Sequence, residues 1–141
     1  MKTSRTVRPS SSYQLELPPQ ICEQMDERVT SFWVDGGPLL LQLSSYIRSQ
    51  GEQLTARDRL KDRIAKHDQQ WQRWEAKIYP DLTVDQATAE YIDNDGLLWV
   101  HSYLVWPHLT IYSIISGPEG LVRLRDNWAI QSLKSVRLTA H

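Results

Sequence analysis

The sequence has little cysteine, little phenylalanine and no long apolar run. Cys22 is the only cysteine, which excludes an internal disulfide and a cysteine-based zinc site. The most apolar stretch, 97–115, is interrupted by two histidines and a proline, so its pattern predicts strands and not a membrane span. No apolar segment of a secretory signal follows the basic start, and we therefore expect a cytoplasmic protein with no membrane partner.

Motifs of known catalysts and metal sites are also absent. The sequence has no GxSxG elbow, P-loop, GxGxxG or kinase signature, and its histidines lack HxxxH or HxH spacing. Residues 93–96 resemble a calcium loop, but Tyr91 and Ser102 stand where that loop needs carboxylates. We therefore expect no enzyme activity, no metal and no cofactor. A ligand-binding or enzymatic domain that uses His101 and His108 is a third hypothesis, and it requires a deep pocket holding both imidazoles.

The composition is typical of one globular domain. The 141 residues are 40% hydrophobic and 23% charged, with a net charge of −1, which excludes a disordered chain and a strongly basic protein that coats nucleic acid. Six Trp and six Tyr accompany a single Phe. Aromatic side chains with N–H and O–H groups suit half-buried positions at a binding surface.

The pattern along the chain predicts an α+β domain, a mostly antiparallel sheet with one long helix packed on a face. We expect a flexible N-terminal lead over 1–12, a single domain over 13–133 and a basic, frayed tail over 134–141. The long helix is predicted at 55–78. Its apolar seam has spacings of three and four, through Leu60, Ile64, His67, Trp71, Trp74 and Ile78.

Signals at both ends support this helix. Thr55 is a natural N-cap with Asp58 three residues later, as in a capping box. Pro80 follows the seam and ends the helix. Cations and aspartates alternate on the face opposite the seam, over 57–68, which is typical of a solvated helix and not of a nucleic-acid site.

The other segments predict mainly strands. Residues 28–47 fit either a helix that continues to Val34 or a hairpin, and the turn signal Asp35-Gly36-Gly37-Pro38 favours the hairpin. Two further strands are predicted at 97–106 and 108–116. Residues 84–92 form either a short helix or an approach to the sheet, and 128–133 either a last strand or a continuation of the preceding helix.

Charge is distributed unevenly. Residues 78–122 contain no Lys or Arg and carry six acidic groups, whereas the segments before and after carry +2 and +3. Six of the thirteen aromatic residues lie in the same cation-free segment. Acidic groups beside Tyr and Trp suit contact with a basic partner protein, although these aromatics could instead be core. The partner contacts that we predict are Glu90, Tyr91, Asp93, Asp95 and Trp99.

A small α+β protein with the segment Ser31-Phe32-Trp33-Val34-Asp35, a long helix and an acidic, Trp/Tyr-rich strand pair resembles immunity proteins of bacterial polymorphic toxin systems. The type it resembles is TriTu-like and neutralises Rhs-borne ADP-ribosyltransferase toxins of type VI secretion. The resemblance implies a non-enzymatic inhibitor, a monomer that forms a 1:1 complex and blocks the toxin's active site. The alternative is a secretion chaperone, usually a dimer, that binds an extended effector segment over apolar grooves.

Overall fold

The computed structural model describes residues 4–48 and 54–139, which form two antiparallel sheets and three short helices. The strands are β1 (Arg5–Ser10), β2 (Tyr13–Leu17), β3 (Ile21–Met25), β4 (Thr30–Val34), β5 (Leu40–Ile47), β6 (Gln72–Trp74), β7 (Asp85–Ile92), β8 (Leu97–Val105), β9 (Leu109–Pro118) and β10 (Arg137–Leu138). The helices are α1 (Ala56–Ala65), α2 (Glu119–Val122) and α3 (Trp128–Lys134).

Seven strands form the larger sheet, in the order β3-β4-β5-β9-β8-β7-β6, and three form the smaller one, in the order β1-β2-β10. Every neighbouring pair is antiparallel. The prediction of an α+β domain with a mostly antiparallel sheet is therefore confirmed. No helix within the described ranges is long and apolar enough to cross a membrane.

Both sheets and α3 enclose the main core. Alternation along β5, β8 and β9 sends every second side chain into it, because successive strand residues point to opposite faces. The main core consists of Val7, Tyr13, Leu15, Leu17, Ile21, Phe32, Leu39, Leu41, Leu43, Ile78, Tyr79, Val84, Leu98, Val100, Leu104, Leu109, Ile111, Ile115, Val122, Ala129, Ile130, Leu133 and Val136.

Helix α1 packs on the opposite face of the larger sheet. The predicted cap is present, since Thr55 Oγ1 accepts a hydrogen bond from Asp58 N at 3.1 Å and the Asp58 carboxylate accepts one from Thr55 N at 3.4 Å. Asp85 on β7 also accepts a bond from Ala56 N at 2.9 Å, which ties the helix start to the sheet. The second core beneath α1 consists of Ala56, Leu60, Ala89, Tyr103, Val105 and Tyr112.

The predicted helix at 55–78 is wrong in length, because α1 ends at Ala65. Residues 66–70 are polar and exposed, and they have no apolar side chain to hold a further turn against the sheet. Trp71 instead packs on His101, and Trp74 lies in β6. Tertiary contacts with the sheet therefore outweigh the helical spacing of the seam.

The structure decides between helix and strand for the segments that the sequence left open. The hairpin is confirmed, since β4 pairs with β5 across residues 35–39, and the strand pair β8–β9 is confirmed as well. Residues 85–92 form strand β7 and 128–134 form helix α3.

The chain ends are more ordered than we predicted. Residues 5–10 of the predicted flexible lead form β1, and residues 137–138 of the predicted frayed tail form β10. Both pair with β2, whose inward side chains Tyr13, Leu15 and Leu17 are buried in the main core. Residues 1–3 of the lead and 140–141 of the tail lie outside the described residues.

Candidate partner-binding surface

The strand register aligns one residue from each of six strands in a single row across the larger sheet. Neighbouring strands lie about 4.8 Å apart, so the row is roughly 24 Å long. Directly opposed residues project from the same face of an antiparallel sheet. We name this row the open band, and it consists of Cys22, Trp33, Leu40, Ser116, Trp99 and Tyr91.

The open band lies on the face opposite the main core. Its chain neighbours Phe32, Leu41 and Ile115 point the other way and are fully buried or nearly so. Ser116 is buried, while the other five members of the band are half-buried. Helix α1 covers this face only further along the strands, over Tyr103 and Tyr112. The band thus offers apolar and aromatic surface that the described fold covers only in part.

Two aromatic side chains of the band contact each other directly. Tyr91 and Trp99 are opposed on β7 and β8, and their rings stack with centroids 6.2 Å apart and an interplanar angle of 6°. Trp71 meets Tyr91 edge-on, with a centroid distance of 4.6 Å. Rings held in this way lose little conformational entropy when a partner binds, which is the property of an interface anchor.

Asp93 fixes the turn that joins these two strands. Its carboxylate accepts hydrogen bonds from Asp95 N at 2.9 Å, Leu97 N at 3.0 Å and the Trp99 indole N–H at 2.8 Å. The bond from Trp99 and the backbone bonds hold the pKa of Asp93 below its usual value. Gly96 closes the turn with a φ of +81°, which is the left-handed region. Asp93 therefore orients Trp99 as well as carrying charge.

A second acidic turn lies at the same end of the sheet. Strands β4 and β7 are four positions apart in this antiparallel sheet and so run in the same direction, which places the turns after them at the same end of the sheet, with β9 between the two hairpins. Asp35 and Asp95 in these turns are exposed. No Lys or Arg occurs in residues 33–40 or 91–99, so negative charge borders the open band.

Glu90 does not belong to this surface. It lies on the core-facing side of β7 and is only 7% exposed. Its carboxylate accepts bonds from Arg123 at 2.7 and 3.0 Å and from the Trp74 indole N–H at 2.7 Å. Burial alone would raise its pKa, but the bonds and the charge of Arg123 outweigh burial and hold the pKa of Glu90 below its usual value. The structure brings together the other four predicted contacts.

The two histidines of the ligand-binding hypothesis lie apart. His101 is buried, its Nδ1 bonded to the Tyr112 hydroxyl and its ring 4.8 Å from that of Trp71. His108 is exposed in the turn between β8 and β9. One imidazole is buried beside Trp71 and the other is exposed in a turn, in contrast to the deep pocket with both imidazoles that this hypothesis requires. Among the described residues, no group of three or more His, Cys, Asp or Glu side chains is placed to hold a metal ion.

His101 predicts how stability depends on pH. Burial, with the positive charge of Arg63 and the charge of His67, lowers the pKa of His101 to about 4, against about 6.5 when unfolded. Between these values the unfolded chain binds more protons, so stability falls as the pH falls from 6.5 towards 4. From pH 7 to pH 5 we expect a loss of about 2 kcal/mol from this group.

Urea unfolding of the wild type and His101→Gln at both pH values measures the effect. The loss between pH 7 and pH 5 should be about 2 kcal/mol smaller in the variant, whatever its stability at pH 7. Equal losses in the two proteins would contradict a buried, neutral imidazole at this position.

Sequence reasoning missed five residues of the surface and its border, namely Cys22, Trp33, Asp35, Leu40 and Ser116. Three of them, Trp33, Asp35 and Leu40, lie in or beside the β4–β5 hairpin, which the turn signal at 35–38 predicts. Trp33 and Leu40 alternate with the buried Phe32 and Leu41, which indicates that they face away from the core. What the sequence does not reveal is that β9 lies between this hairpin and β8.

Comparison with known proteins gives a fold and no family. No protein-family model and no curated protein matches the sequence. The solution structure of cyanobacterial PsbP (CyanoP) from Synechocystis sp. PCC 6803 superposes with a TM-score of 0.69 at 13% identity, over 99% of this chain and 94% of that one. The chain has a fold similar to that of PsbP.

A crystal structure of a protein from Bacteroides thetaiotaomicron VPI-5482 is also similar. Its TM-score is 0.61 at 13% identity, over 92% of this chain and 46% of that one. The present chain therefore spans about half the length of that protein. At these identities the two similarities establish the fold alone.

Proposed function

We propose that the protein is a non-enzymatic immunity protein, which binds a cognate bacterial toxin domain through the open band and blocks its active site. The observation that carries this proposal is the row of half-buried aromatic and aliphatic side chains with Asp35, Asp93 and Asp95 at its border. In accord with the resemblance, an ADP-ribosyltransferase toxin is one partner class.

This role requires shape and charge but no chemistry. A stable protein complex buries about 800 Å² on each partner, with a few aromatic anchors near the centre of the contact. Toxins that act on nucleic acids or phosphate-bearing cofactors have positive clefts. An acidic border attracts such a cleft and accelerates association. The rigid Tyr91–Trp99 pair supplies anchors, and Asp35 and Asp95 supply the free charge.

Reversal of the border charge tests the proposal. In Asp35→Lys with Asp95→Lys we expect association with the cognate toxin domain to slow by about tenfold at low salt, with little change in dissociation. Asp93 is left intact because it holds the turn. Surface plasmon resonance against salt concentration measures both rates, and growth of toxin-expressing cells measures protection.

The matched control is Glu75→Lys with Asp126→Lys, which changes the net charge equally at exposed positions outside the band. It should associate nearly as fast as the wild type. If the border variant associates and protects as well as this control, the acidic border does not face the toxin.

A second observation favours the chaperone alternative. The row beside the open band carries Ser31, Gln42 and Ile114, all half-buried, so the uncovered face is wide enough for an extended or helical effector segment. Mass measurement separates the two functions. An immunity protein is expected as a 16.4 kDa monomer that forms a 1:1 complex, whereas a chaperone is expected as a dimer before it binds.

A further inference from the structure

A cavity of about 410 Å³ opens on the core-facing side of the larger sheet, away from the open band. It lies between the loop after β6 and the segment that contains α2 and α3. Its apolar walls include Ile78, Leu98, Val122 and Ile130, all 6% exposed or less, and the Trp74 side chain. This volume is within the range of small-molecule sites, and apolar walls are typical of them.

The polar groups that line the cavity are predominantly cationic. Four of them are basic and one, Glu90, is acidic. The Glu90 carboxylate is already bonded to Arg123 and to the Trp74 indole N–H. The basic side chains are Lys77, Arg123, Arg125 and Lys134.

Only Arg123 among these cations is paired with carboxylates, those of Glu90 and Glu119. Lys77 donates to the neutral Gln86 carbonyl oxygen at 3.2 Å, which holds the side chain but does not neutralise its charge. No carboxylate within residues 4–48 and 54–139 pairs with the side chains of Arg125 and Lys134. Positive charge beside an apolar cavity thus lacks a counter-ion from the fold.

We propose that this cavity binds a small amphiphilic carboxylate, with its apolar tail against the Trp74 wall and its carboxylate beside Arg125 and Lys134. The apolar walls account for the tail, because burial of methylene groups away from water is favourable. The cations without a carboxylate partner account for the negative charge of the ligand's headgroup. The site is independent of the open band, which lies on the opposite face.

Isothermal titration calorimetry with octanoate tests the site on the full chain. Octanoate should bind, whereas octanol should bind more weakly and octylammonium and inorganic phosphate should not bind measurably. The indole N–H resonance of Trp74, assigned with Trp74→Phe, should shift on addition of octanoate. If octylammonium binds as tightly as octanoate, the site is an apolar groove without charge selectivity. If inorganic phosphate binds as tightly as octanoate, the site is a cationic patch that does not recognise the tail. Either result overturns the proposal.

Two variants locate the ligand. Arg125→Gln with Lys134→Gln should weaken octanoate binding by about threefold to tenfold, as for partly exposed ion pairs. The control, Lys61→Gln with Lys66→Gln, removes the same charge from exposed positions on or beside α1 and should bind as the wild type does. Ala76→Trp adds bulk at an exposed wall position and should abolish binding with an unchanged melting temperature. Unaltered affinity in both test variants would place octanoate elsewhere.

Discussion

Phe32→Ala should lower the free energy of unfolding by about 3–5 kcal/mol. Phe32 is fully buried on β4, among the largest side chains of the main core, and alanine would leave a cavity that the surrounding strands fill only in part. A domain of this size has a stability of roughly 5–15 kcal/mol, so the expected loss is at least a fifth of the total. Urea denaturation followed by circular dichroism measures the loss.

Phe32→Leu is the control for this prediction. It keeps most of the apolar volume, and it should cost clearly less than the alanine variant because the remaining cavity is smaller. The m-value should stay the same in both variants if each unfolds in one step from the same fold. A loss below about 1 kcal/mol in Phe32→Ala would show that β4 does not pack into the main core.

Under the proposed function, replacement of both Trp33 and Trp99 by alanine should weaken toxin binding by about a thousandfold or more. Each is a half-buried aromatic of the open band, and loss of one such anchor typically costs 2 kcal/mol or more. The two residues are three strand spacings apart, roughly 14 Å, so their contributions should be nearly additive. Calorimetric titration with the purified toxin domain measures the change.

Controls separate anchoring from folding. Leu82→Ala removes an exposed apolar side chain outside the band and should leave affinity unchanged. Trp99→Phe keeps a ring opposite Tyr91 but loses the hydrogen bond to Asp93, so it should weaken binding less than Trp99→Ala. A double alanine variant that binds within about threefold of the wild type would exclude the open band as the main contact.

Phe32 and Trp33 also show how much of the fold the sequence predicts. Core-facing and outward-facing residues alternate along this strand, and the turn residues at 35–38 end it and precede the next one. Local sequence therefore predicts both the hairpin and the face to which each side chain points. The predicted helix at 55–78 is too long for a non-local reason, since only its first part forms α1. Trp71 and Trp74 have the spacing of a helix face, but their rings pack on His101 and bond to Glu90, which are distant in sequence.

The predicted partner contacts show the same difference between local and distant sequence information. Tyr91, Asp93, Asp95 and Trp99 come together because a short turn joins β7 to β8, and such proximity is readable from the chain. Glu90 was grouped with them by charge, yet it precedes Tyr91 by one residue and so faces the main core. Its partner Arg123 follows α2, and no pattern in the sequence near Glu90 predicts that ion pair.

Hydroxyl-radical footprinting of the free protein and of its complex with the toxin domain tests the central claim most directly, because it measures side-chain exposure residue by residue. If the open band is the contact surface, oxidation of Trp33, Tyr91 and Trp99 should fall strongly in the complex. Trp106 and Trp128, which pack against the main core, should be oxidised as in the free protein. Unchanged oxidation of Trp33 and Trp99 in a saturated complex would contradict the proposed surface.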